Sequence, residues 1–273
     1  MAESNKTKRP KRPHLSLNVM IPNMLTLLAL CSGLTAIRFA YEGRWEHAAL
    51  AIFAAAVLDA LDGRIARLLK GTSKFGAELD SLADILSFGV APGMMLYFWS
   101  LQHVGRFGWI LVLIYAMACA LRLARFNTAA EDPNPPAWAC NFFAGVPAPM
   151  AAGLVLLPMV ISFNVFEDFA RRPEVVAVFV LIVSALMVSS IPTYSFKKVK
   201  LRPSLILPLM VVVGLIIASL LSAPWVTLSG ILAAYMASIP LAIRSYRAIQ
   251  NGEVAADCDP DDDDSPVDLD LDT

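Results

Sequence analysis

The chain is built from long apolar runs separated by short polar ones. Segments at about 20–40, 47–69, 78–100, 107–125, 145–163, 174–192, 204–222 and 225–243 each approach the ~20 apolar residues that a helix needs to cross a bilayer. In hydrocarbon every backbone N–H and C=O must find an internal partner, so such runs can only be helices or a closed barrel. They lack the period-two alternation of barrel strands, which predicts an all-α integral membrane fold. Composition agrees, with 57% hydrophobic and 16% charged residues among 273, where soluble domains hold about 25% charged. That profile excludes an ordinary cytosolic enzyme, a disordered chain and a DNA-binding domain.

The formal net charge of −1 hides two unequal parts. Residues 251–273 carry ten acidic residues and no basic one, whereas residues 1–250 carry all 22 Lys and Arg against 13 acidic residues. The body is therefore basic, as suits a protein beside anionic headgroups. The tail, with Asp261 to Asp264 in a row, cannot bury apolar surface and is expected to be disordered. Placing the N-terminus in the cytoplasm and alternating the segments puts 17 of the 22 basic residues on the cytoplasmic side and four opposite. This positive-inside bias predicts both termini cytoplasmic. The first apolar stretch follows a basic arm but lacks a clean small-residue cleavage site, so it reads as a retained span, with Pro22 and Asn23 at its entrance. The expected layout is a basic arm (1–19), a membrane domain (20–200), two further spans (201–250) and the acidic tail (251–273).

Acidic residues inside such spans stand out, because a carboxylate at mid-bilayer costs about 2.5–3.5 kcal/mol on insertion scales. Asp59 and Asp62 are three residues apart and share a face of the second helix. Asp80 and Asp84 are four apart and share a face of the third. The linker between them is short and holds Gly71 and Gly76, so the two helices form an antiparallel hairpin with both carboxylate pairs near one end. Four carboxylates in low dielectric need compensation. Arg64 and Arg67 can offset two charges; divalent Mg²⁺ or Mn²⁺ fits the oxygen donors better and leaves positions open for phosphate. A two-metal site of this kind clamps a diphosphate. Gly63 and Ala66 leave room for a ligand beside the backbone, and Arg67 offers a planar fork for phosphate. Cys31, Cys119, Cys140 and Cys258 form no C-x-x-C pair, and the three histidines are scattered, so neither a zinc site nor a nucleophilic triad is suggested.

The pattern Asp59-x2-Asp62-Gly63-x2-Ala66-Arg67-x8-Gly76-x3-Asp80-x3-Asp84 resembles the signature of the CDP-alcohol phosphotransferase family at every fixed position. Ile21-Pro22-Asn23 with Leu25-Thr26 is similar to that family's first-helix motif. The blocks Ser87 to Pro92, Arg122 to Asn127, Phe142 to Pro149 and Ile191 to Phe196 resemble its serine-using bacterial membrane branch, so the likeness covers roughly residues 20–200. The resemblance implies a six-helix catalytic core, here with two additional C-terminal transmembrane helices, in a homodimer of the bacterial cytoplasmic membrane. It implies Asp59, Asp62, Asp80 and Asp84 as metal ligands, with Asp84 also the general base. It places Gly63, Ala66, Arg67, Gly76, Asn23 and Thr26 around the CDP group of CDP-diacylglycerol. The acceptor it implies is L-serine, giving phosphatidylserine and CMP.

For that acceptor's carboxylate, Arg122, Arg125 and Asn127 are the candidates, because two arginines one turn apart sit on the side of the Asp cluster. The same two arginines also read as ordinary positive-inside flanks. Transfer to another alcohol, such as glycerol phosphate, inositol phosphate or choline, remains an alternative. An ion-coupled transporter is a further one, since transporters also hold carboxylates in the membrane.

Overall fold

The computed structural model describes residues 17–69, 71, 73–130, 142–164, 167–189, 192–194 and 206–250. Residues 1–16 of the basic arm, the basic residues Lys197, Lys198, Lys200 and Arg202, and the acidic tail lie outside the described residues. Helices α1 (Leu17–Tyr41) and α2 (Trp45–Leu68) form a hairpin. Helix α3 runs Lys74–Trp99 and α4 Arg106–Ala130. These are followed by α5 (Ala148–Ser162), α6 (Pro173–Val188), α7 (Ile206–Ser222) and α8 (Pro224–Gln250). Among the described residues, the stretches Met20–Tyr41, Lys74–Trp99 and Arg106–Ala129 are long and apolar enough to cross a membrane. Apolar helices at Ala148–Ser162, Pro173–Val188, Leu207–Ser222 and Pro224–Ile239 are shorter.

Two features differ from the sequence expectation. Strands β1 (Phe142–Ala144) and β2 (Pro192–Tyr194) pair antiparallel, with Phe143 opposite Thr193. Pro192 thus belongs to a strand, and α6 stops at Val188 rather than at 192. Pro22 is not in a first helical turn, because α1 starts at Leu17; it sits inside the helix, where its carbonyl lies 3.1 Å from the Thr26 hydroxyl.

Packing follows the distribution of small residues. Ala29, Ala36, Ala40, Ala48, Ala49 and Ala55 are buried between α1 and its neighbours, letting backbones approach closely. Ser32 on α1 donates to the Ala51 carbonyl on α2 at 2.7 Å. Helix α5 is apolar on every face, and Ala151 to Val160 are buried throughout, so it occupies the centre of the bundle. Helix α8 packs on α5 where Gly153 meets Leu232. Helix α7 has the opposite character: Leu207, Met210, Leu215 and Leu221 are exposed, as expected of a lipid-facing helix.

Helix α3 carries a π-helical turn at Ile85–Val90, in which the Ala91 N–H reaches the Leu86 carbonyl. Pro92 has no N–H to offer Phe88, and the buried Tyr115 hydroxyl of α4 donates to that carbonyl instead, at 2.9 Å. Across from this turn, a Cβ at Gly33 of α1 would lie 2.5 Å from Ser87 Oγ and 2.8 Å from Ser87 Cα. Only glycine fits, so α1 and α3 are in backbone-close contact one turn from Asp84. Gly33→Ala should therefore lower the apparent melting temperature in detergent by roughly 3–8 °C, as overpacking typically costs about 1–3 kcal/mol. Gly214→Ala on α7, where a Cβ meets nothing within 4 Å, should leave it unchanged. Equal melting of both variants and the parent would refute this crossing.

Candidate active site

The α2–α3 hairpin is set by its connection. The Gly71 N–H bonds the Ala66 carbonyl at 2.9 Å, closing α2. Ser73 then caps α3, its hydroxyl accepting from the Gly76 N–H at 3.0 Å. This short reversal lays the end of α2 and the start of α3 on α1, with the acidic faces of α2 and α3 turned to each other across a gap. Carboxylate oxygens of Asp59, Asp62 and Asp80 lie within 4.8 Å of one another. Asp62 is buried, and Asp59 and Asp80 are half-buried. Asp84, one turn deeper, lies near Asp59.

Each carboxylate has a different set of neighbours. The Thr26 hydroxyl of α1 is 2.7 Å from Asp62 Oδ2, closer than to the Pro22 carbonyl, so its single proton goes to the carboxylate. Asp80 Oδ1 is buried and has no hydrogen-bond partner among the described residues. A buried carboxylate oxygen with no donor, facing two further carboxylates, is costly unless a cation is present. Three oxygen donors at this spacing fit a hard divalent ion, and Asp59, Asp62 and Asp80 could hold one. Asp84 lies outside that triplet.

A cleft of about 200 Å³ opens beside the cluster. The sequence-derived residues Asn23, Thr26, Gly63, Ala66 and Gly76 line it together with Asp62 and Asp80. A Cβ at Gly76 would fall 2.8 Å from Asn23 Oδ1, so the absent side chain is what lets α1 reach over the start of α3. Arg67 is exposed outside this lining, its Nε donating to the Gly63 carbonyl at 3.1 Å. Pro22, Gly71, Ser73 and Ala77 complete the wall and were not singled out from the sequence as ligand-lining. Ser73 was findable, since a serine directly before a helix start is a capping signal.

The two arginines of α4 part company. Arg125 Nη1 donates to the Val188 carbonyl at 2.9 Å and so caps the end of α6. Arg122 is half-buried, interacts electrostatically with Asp84 and with Tyr235 of α8, and its Nε has no hydrogen-bond partner among the described residues. Asn127 Nδ2 donates to Ser81 Oγ at 2.9 Å, tying the end of α4 to the residue after Asp80. Arg64 turns away from the carboxylates and lines a groove on the other side of α2.

A sequence model described as CDP-alcohol phosphatidyltransferase matches residues 19–191, which hold the whole cluster. The chain belongs to this family. A second model, CDP-alcohol phosphatidyltransferase 2, matches residues 204–240. A CDP-diacylglycerol–serine O-phosphatidyltransferase of Mycobacterium tuberculosis is 40% identical over 84% of this chain and 79% of its own. A protein of the same name from Helicobacter pylori is 34% identical over 75% of this chain and 84% of its own. An archaetidylserine synthase of Methanothermobacter thermautotrophicus is 32% identical over 63% and 69%.

The Thr26 hydroxyl is the sole donor that α1 gives to Asp62 among the described contacts. Groups that orient metal ligands typically matter about 10–100-fold in metal affinity. Thr26→Val should weaken Mn²⁺ binding by about that factor in a titration of the purified protein, while Thr26→Ser should restore it. Unchanged affinity in Thr26→Val would remove the hydroxyl from the site.

Proposed function

We propose that this membrane enzyme transfers a phosphatidyl group from CDP-diacylglycerol to L-serine, releasing CMP. The observation that carries the reading is the convergence of Asp59, Asp62 and Asp80 beside a cleft walled by Asn23, Thr26, Gly63, Ala66 and Gly76. The names of the relatives from Mycobacterium and Helicobacter support serine as the acceptor. The Methanothermobacter name supports a serine headgroup on a different lipid.

In this reading Asp59, Asp62, Asp80 and Asp84 hold two divalent ions, Mg²⁺ or Mn²⁺. When bound, the metal neutralises the diphosphate and the charge that develops on CMP. The cleft takes the CDP group, with Asn23 and Thr26 offering polar contacts from α1 and Gly63, Ala66 and Gly76 leaving room for it. Arg67 stands at its outer edge as a phosphate contact. The serine hydroxyl oxygen attacks the phosphorus that carries the diacylglycerol. The new O–P bond forms as the bond to the CMP oxygen breaks, and CMP leaves with the electron pair. Asp84, beside Asp59, accepts the hydroxyl proton as general base. Catalysis is then mostly positioning and electrostatics.

Arg122 supplies the cation for the serine carboxylate, because it reaches towards Asp84 with an uncommitted Nε. Asn127, held on Ser81, is the further polar group offered to the serine. Arg125 is spent on Val188 and serves as an anchor of α4 to α6. Helices α1 to α6 form the six-helix core, with α7 and α8 as two further spans. The enzyme sits in a bacterial cytoplasmic membrane as a homodimer, both termini cytoplasmic.

CMP should appear from CDP-diacylglycerol only when serine is supplied, and Asp59→Asn or Asp80→Asn should abolish it without preventing membrane insertion. Release driven equally by glycerol phosphate, inositol phosphate or choline would overturn the acceptor. A charge-assisted hydrogen bond is worth about 1.5–3 kcal/mol, so Arg122→Lys should raise the KM for serine roughly tenfold or more. Arg125→Lys should leave that KM within about twofold and lower the melting temperature instead. A reversed pattern would assign the serine contact to Arg125.

A further inference from the structure

Helix α2 has a second, opposite working face. Behind the carboxylates a groove of about 570 Å³ runs between α2 and the α7–α8 junction. Val57, Ala60 and Leu61 form its α2 wall, and Leu220, Pro224 and Leu228 its far wall. It shares no lining residue with the cleft that holds Asp62 and Asp80. From Leu50 to Arg64 the α2 wall extends about 21 Å at 1.5 Å per residue, enough to lie along one leaflet's ~15 Å of hydrocarbon. The volume falls within the range of about 300–1,000 Å³ usual for small-ligand sites.

One charge lies in this lining, that of Arg64, and it stands at the end of the groove level with Asp62. Arg64 is exposed and makes no ion pair among the described residues. An arginine closing an apolar trough is the arrangement that takes an acyl chain along the wall and an anionic headgroup at the guanidinium. The headgroup would then sit at the same depth as the carboxylate cluster, on the far side of the helix.

We propose that this groove binds an anionic phospholipid of the surrounding bilayer, distinct from the donor, with its chain against Val57, Ala60 and Leu228 and its phosphate on Arg64. It draws on α7 and α8, which gives these two helices a role in lipid recognition.

The test uses the full chain in phosphatidylcholine nanodiscs carrying a trace of lipid with a photoreactive acyl chain, and cross-links are mapped by mass spectrometry. A phosphatidylglycerol probe should label Val57, Ala60 and Leu228. Saturating CDP-diacylglycerol should not displace it, and a phosphatidylcholine probe should label these positions weakly. Arg64→Gln should cut the phosphatidylglycerol labelling about fivefold, the equivalent of one lipid–cation contact. Ala60→Trp should remove it from the groove. Displacement by CDP-diacylglycerol would make the groove the donor's own and overturn the proposal. Equal labelling by both probes, or full labelling of a folded Arg64→Gln variant, would overturn it as well.

Discussion

Burying carboxylates between apolar helices is the constraint from which the rest of this structure follows. An uncompensated anion in this environment is expensive, and four of them sit within two helical turns of α2 and α3. No ion pair among the described residues neutralises the cluster: Arg122 acts on Asp84, Arg64 faces the opposite side of α2, and Arg67 bonds its own helix at Gly63. The orphaned Oδ1 of Asp80 marks where the compensation is missing. The protein spends structure to keep this arrangement, with a capped two-helix hairpin, a threonine donor from α1 and a glycine that lets Asn23 close over the cleft.

The scaffold around the cluster is correspondingly tight. Helix α3 deviates into a π turn directly after Asp84, and three neighbours fix that turn. Pro92 withdraws one backbone donor, Tyr115 replaces it, and Gly33 lets α1 press on Ser87. The depth of Asp84 relative to Asp59 is thus set by packing from α1 and α4. The central helix α5, buried on all sides, holds these layers together, and α8 leans on it to bring Tyr235 towards Arg122.

Much of this was readable in the chain, for identifiable reasons. Apolar length placed α1 at 20–40 against Leu17–Tyr41 and α7 at 204–222 against Ile206–Ser222. It missed the first turn of α3, which begins at Lys74 and not at 78, because Lys74 and Glu78 are polar and the start is decided by the Ser73 cap. It ran α6 on to 192 because apolar Ile191 and Pro192 continue the pattern, although Pro192 pairs in a strand. The helical spacing of the aspartates predicted two acidic faces, and the faces are turned to each other. Spacing could not tell which carboxylates draw nearest one another: Asp59, Asp62 and Asp80 do, and Asp84 falls outside the triplet. Nor could it separate Arg122 from Arg125, since three residues of helix turn one towards Asp84 and the other towards Val188.

The central claim is that the α2–α3 carboxylates exist to hold a divalent ion. Anomalous scattering at the manganese edge, from crystals of the full chain grown with Mn²⁺, addresses it without reference to turnover. The account predicts a peak within coordination distance of Asp59, Asp62 and Asp80, lost in Asp80→Asn crystals of the same form. A peak elsewhere with this cluster empty at saturating Mn²⁺, or a peak that persists in Asp80→Asn, would contradict it.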